Sequence, residues 1–180
     1  MIGKFITGKT AVFIDAANIF YSQKTLGWRF DYTKFLLYLK KECDVVVARY
    51  YTGKVGALEK QNAFLKKLEL AGFGVLSKEV KFIKVGHDLI PKGNLDIELA
   101  LDAYRMSDKY DTLLLCSGDS DFSYLLDLLK GEGKRVIVLS TRGHISRELL
   151  ERAKYIDISK LRKYVEYETS QKPDKPALEV

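Results

Sequence analysis

No apolar run in the sequence approaches the ~20 residues that a membrane-spanning helix requires, so no membrane partner is expected. Cysteine is scarce, with only Cys43 and Cys116 among 180 residues. They form no C-x-x-C pair, which argues against zinc ligation. Each adjoins an apolar run, as suits a free thiol packed as a small hydrophobe. Such usage fits a reducing cytoplasm, the expected location. The residues before Thr10 hold too short an apolar run for a signal peptide. The two histidines, His87 and His144, have no partner at ligand spacing. Of three prolines, only Pro91 precedes the C-terminal segment, and no internal repeat is visible. A disulfide scaffold, a zinc site and a membrane span are all disfavoured.

What is present reads as one α/β domain. The hydrophobic fraction is 47% and the charged fraction 30%, ordinary for a globular chain. The net charge of +6 is compatible with a polyanionic partner without demanding one. Strand and helix signals alternate. Strands are expected at Thr10–Asp15, Asp44–Tyr51, Asp111–Cys116, Arg135–Ser140 and Tyr155–Ile158, with Phe73–Val85 as a strand and a possible hairpin. Helices are expected at Tyr32–Glu42, capped by Asp31, at Leu58–Ala71, stopped by Gly72, from Leu95 to about Met106, capped by Asn94, and at Ser120–Lys130 and Ser146–Ala153. Gly86–Gly93 reads as a loop, as does the stretch after Asn18. This order implies a mostly parallel sheet with helices on both faces. The domain is expected to span 1–167, and the polar, proline-bearing 168–180 to form a flexible tail.

In open α/β sheets, ligands bind beyond the carboxyl ends of the strands. Acidic residues collect there. Asp15 closes the first strand, Asp119 and Asp121 follow Cys116, and Asp96 lies in the first turn of the helix opened by KGNLD. Any one of them alone would pass for a cap or turn residue. Four together repel unless a cation compensates, and oxygen-only ligation points to Mg²⁺ or Mn²⁺. Asp102, six residues beyond Asp96, points away from it and reads as a surface ion pair.

Three segments carry a family resemblance. VFIDAANIF (Val12–Phe20), KGNLDIELALDAY (Lys92–Tyr104) and CSGDSDFSYLL (Cys116–Leu126) resemble the motifs of the NYN domain family, also called LabA-like or DUF88, a branch of the PIN-like nuclease superfamily. The resemblance covers roughly Thr10 to Ser159. It implies a PIN-like three-layer α/β/α sandwich and a Mg²⁺- or Mn²⁺-dependent ribonuclease hydrolysing phosphodiesters. It also implies that Asp15, Asp96, Asp119 and Asp121 hold the metal, with Asn18 as the accompanying polar residue. Ala17 stands where family members often have glycine. Asp102 matches an acid often seen in the family. PIN-like domains often pair, so a homodimer is left open.

An RNA partner needs cations for phosphates and surfaces for bases. Lys92 and Arg142 are the leading candidates. Ser117 could bond a phosphate oxygen or serve the turn, and Tyr21, Lys24, Trp28, Arg29, Tyr51 and Lys54 form a looser set. One alternative is a NYN-like module that binds RNA or a protein with little cleavage. Another is a Toprim-like or other Mg²⁺-dependent phosphotransfer enzyme, although Toprim would want Glu in place of Asp15. A haloacid-dehalogenase-type phosphatase would want D-x-D there, and a dinucleotide-binding enzyme G-x-G-x-x-G; neither pattern is present.

Overall fold

The computed structural model describes residues 2–56, 58–85 and 88–168, with the backbone alone at 82, 83, 85 and 88–92. His87 and all but the first residue of the expected tail at 168–180 lie outside the described residues. Among the described residues, eight strands occupy Lys9–Asp15 (β1), Asp44–Lys54 (β2), Gly74–Glu79 (β3), Lys81–Val85 (β4), Asp88–Lys92 (β5), Thr112–Cys116 (β6), Arg135–Ser140 (β7) and Lys154–Asp157 (β8). The helices are Ala16–Leu26 (α1), Tyr32–Glu42 (α2), Glu59–Ala71 (α3), Asp96–Arg105 (α4), Ser123–Gly131 (α5), Arg147–Arg152 (α6) and Arg162–Val165 (α7).

Six strands form one sheet in the order β3-β2-β1-β6-β7-β8, every neighbouring pair parallel. Alternation along the strands divides the core in two. Val12, Ile14, Leu114, Cys116, Ile137 and Leu139 face α1, α2, α3 and α7. Ala11, Phe13, Leu113, Leu115, Val136 and Val138 face α4, α5 and α6. A strand buried on both faces reads as a near-continuous apolar run, and β6 is buried throughout. The result is a three-layer α/β/α sandwich. No helix among the described residues is long and apolar enough to cross a membrane.

Four local expectations are corrected. The stretch after Asn18 is helix α1, not a loop. Its cap is Asp15, whose side chain accepts from Asn18 N, and Gly27 ends it with φ of 72°. Residues 81–85 and 88–92 pair as a separate antiparallel ladder of β4 and β5, so most of the expected loop at Gly86–Gly93 is strand. Proline is tolerated at Pro91 because a two-stranded ladder leaves an outer edge without a partner strand. Asn94 does not cap α4. Leu95 holds the cap position, and the Asn94 amide donates to the Asp96 carboxylate instead. The segment opening at Ser120 begins as a single 3-10 turn before α5.

Candidate functional site

Strand order reverses at β1, which lies between β2 and β6. A crevice opens at such a switch point, beyond the strand carboxyl ends. Its residues come from four places: Asp15 to Tyr21 at the end of β1 and in α1; Tyr51, Thr52 and Gly53 near the end of β2; the turn from Gly93 to Asp96 that starts α4; and Asp119 after β6. Together they enclose about 220 Å³.

Carboxylate oxygens of Asp96, Asp119 and Asp121 lie within 4.8 Å of one another. Oxygen ligands sit about 2.0–2.6 Å from Mg²⁺ or Ca²⁺, so oxygens sharing one ion are at most about 5 Å apart. The spacing therefore fits a single divalent cation held by hard oxygen donors. Among the described residues, none of the ion pairs involves these carboxylates or Asp15. Their mutual repulsion is visible at Asp96. Burial and then the charges of Asp15, Asp119, Asp121 and Glu98 push its carboxyl up to about 6.

Asp15 stands beside this triad rather than within it. One of its oxygens accepts from Asn18 N at 3.2 Å and the other from the Ser117 hydroxyl at 2.9 Å. Burial raises its pKa, those two bonds oppose the shift, and the charge of Asp119 adds to it. Ser117 also accepts from Asp119 N at 3.2 Å, while Asn18 Oδ1 accepts from Gly118 N at 3.0 Å. Asp119 Oδ1 accepts from Asp121 N at 3.0 Å. One chain of hydrogen bonds thus ties the end of β1 to the loop after β6 and fixes the directions of the acids.

Ser117 is fully buried and its hydroxyl donates to Asp15, the structural role of the two read for it. Arg142 is exposed in the loop after β7, near Tyr155, and does not line the cavity. The Lys92 backbone closes β5 beside Gly93, but its side chain lies outside the described residues. Tyr21, on α1, is 55% exposed on the cavity wall, and Lys24 lies over its ring. Trp28 is buried in the core.

Sequence reasoning placed Tyr51 only in the looser set of nucleic-acid contacts and missed its partner. Tyr51 lines the cavity, is buried, and donates to Asp102 at 2.9 Å. Asp102 also pairs with Arg105 at 3.2 Å. The expected ion pair of Asp102 is therefore present, with the tyrosine as an added partner. The lone signal was the double tyrosine closing an apolar strand. Tyr51→Phe deprives Asp102 of a donor in a partly buried setting, so unfolding free energy should fall by about 1 kcal/mol with divalent-ion affinity kept. Denaturant melts and calorimetric titration check both halves.

A family model for the NYN domain matches residues 9–159. The chain belongs to the NYN domain family. It is 34% identical over 168 residues to the low amplitude and bright protein LabA of Synechococcus elongatus, a match covering 90% of each chain. A crystal structure of a protein of unknown function from Vibrio parahaemolyticus superposes with a TM-score of 0.72 at 28% identity, covering 88% of this chain and 96% of that one. As an NYN domain, the chain places its acidic triad at the crevice where α/β folds bind ligands.

Proposed function

We propose that this NYN domain is a divalent-metal-dependent ribonuclease, with the Asp96–Asp119–Asp121 triad as its metal site. The observation that carries the reading is the convergence of three carboxylates, 4.8 Å apart or less, beside a cavity at the switch point of the sheet. A bound Mg²⁺ or Mn²⁺ supplies water activation and charge neutralisation at a phosphoryl group under attack. Asp96, Asp119 and Asp121 are its holders in this reading. Asp15 adds negative charge from the neighbouring strand end, and through Ser117 it orients Asp119. Asn18 is a positioning residue that anchors Gly118, next to Asp119. Tyr21 offers an exposed ring for a base at the mouth of the cavity. Lys92 and Arg142 remain candidates for phosphates farther along the strand. Residence in the cytoplasm accords with the RNA substrate.

The test is cleavage of labelled RNA with Mg²⁺ or Mn²⁺ against a chelator control, with p-nitrophenyl phosphate alongside. The reading expects metal-dependent RNA products and little phosphatase activity. RNA binding without turnover at any metal concentration would favour the interaction-module alternative.

A pH dependence follows from the raised Asp96 pKa. Below about 6 the carboxyl holds a proton that a cation must displace, so affinity should be about tenfold weaker at pH 5 than at pH 7. The stability sign is the opposite of the usual carboxylate case. The folded pKa lies above the unfolded value, so metal-free protein keeps this contribution at low pH and loses it as pH rises through about 6. Melting temperature with and without Mn²⁺ across pH 5–7.5 reads both effects, and the metal-induced rise should grow with pH.

A further inference from the structure

At the opposite end of the sheet, the amino-terminal ends of β6, β7 and β8 frame a second and larger cleft of about 450 Å³. Five cationic side chains line it: Lys130, Lys134, Arg135, Arg152 and Lys154. Asp111 is its one carboxylate. Among the described residues, only Arg152 of the five is paired with an acid, Asp127 at 2.9 Å. Lys130 donates to Arg152 O at 3.0 Å, Lys134 to Tyr110 O at 2.9 Å, and Arg135 to Phe5 O at 3.3 Å. Lys154 lies over the Phe5 ring. Asp111 is engaged with Lys9 N at 2.8 Å.

Those bonds hold the cations in place without neutralising them. A carbonyl takes one N–H, while an ammonium has three and a guanidinium five. Positive charges fixed around one concave surface, with donors to spare, suit a polyanion. The acidic triad thus lies beyond the carboxyl ends of the strands, and this cationic cluster lies at the amino ends of β6, β7 and β8.

We infer that this cleft is a second nucleic-acid site, gripping the phosphates of a strand whose reacting segment lies in the acidic crevice. The partner class rests on the ribonuclease reading; the cleft itself does not. The two ends are about 20 Å apart along β1, at about 3.3 Å per residue. The site therefore serves long strands and leaves very short ones unaffected.

The test is anisotropy with labelled single-stranded RNA on the order of 20 nucleotides, in chelator, using Asp119→Asn protein so that cleavage plays no part. Lys134→Gln with Arg135→Gln should weaken binding about tenfold and lower the slope of log K against log salt by about 1.4, at roughly 0.7 for each phosphate no longer neutralised. The same removal of charge at Lys60 and Lys66, on α3, should change neither value. Lys154→Gln, which takes away one of the two cations over the Phe5 ring, gives a milder variant should the double one melt early. Unchanged affinity and slope in the cleft variants would overturn the inference. So would an equal effect from the α3 control, or displacement by inorganic phosphate alone at matched ionic strength. Cleavage by the wild type is scored separately. Binding through the cleft without turnover sinks the ribonuclease reading and leaves the cleft standing.

Discussion

Asp119→Asn is expected to lower metal-dependent RNA cleavage by at least about 100-fold while leaving the fold intact. Loss of a partner that merely orients a ligand typically costs 10–100-fold in affinity or activity, and loss of a ligand should cost no less. Asp119 is the central member of the site. It shares the triad with Asp96 and Asp121, takes the Asp121 backbone N–H, and donates its own to Ser117. Asparagine preserves the side-chain shape and can keep the Asp121 bond through its carbonyl oxygen. Initial rates at saturating Mn²⁺, beside circular dichroism melts, separate a missing ligand from a missing fold. In metal-free buffer the variant should melt no lower than wild type, since one of the charges repelling Asp96 has gone.

Gly118→Ala should be the most damaging small substitution in the domain. An added Cβ would lie 1.7 Å from the carbonyl oxygen of His144 and 2.7 Å from its carbon, both backbone atoms. That backbone cannot retreat cheaply. Gly118 O accepts from Ser146 N at 2.9 Å, and Ser140 Oγ donates to His144 O at 3.3 Å, so the 141–146 loop is clamped to the acidic loop. Relief requires moving one loop off the other, which also loosens the Gly118 bond to Asn18 beside Asp119. We expect a loss of about 3 kcal/mol, at the upper end of overpacking penalties. That corresponds to about 6–12 °C in Tm for a domain of this size. Divalent-ion affinity should drop with it. Chemical denaturation and calorimetric titration of the same preparation give both numbers.

How far the sequence exposed this architecture varies by residue. Continuous apolar runs ending in carboxylates placed Asp15 and Asp119 at strand ends, because a strand covered on both faces has no other pattern open to it. Helix α1 was hidden for a related reason. Its cap is Asp15 itself, so reading that residue as a catalytic acid concealed its second task. Strand β5 was obscured by Pro91, which an edge ladder accepts. Tyr51 meets Asp102 across 51 residues, and Asn94 turns to Asp96 rather than to the helix backbone. Neither pairing is encoded in local spacing. The commitment of Ser117 and Asn18 to the frame of the site became legible only once β1 and β6 were known to be neighbours.

The central claim is that one divalent cation sits among three of these acids. Anomalous diffraction from crystals soaked in Mn²⁺ near pH 7.5 tests it most directly. The expected result is a peak bounded by the carboxylates of Asp96, Asp119 and Asp121, absent from Asp119→Asn crystals treated identically. A map with no peak there at saturating Mn²⁺, or with its strongest peak elsewhere in the domain, would contradict it.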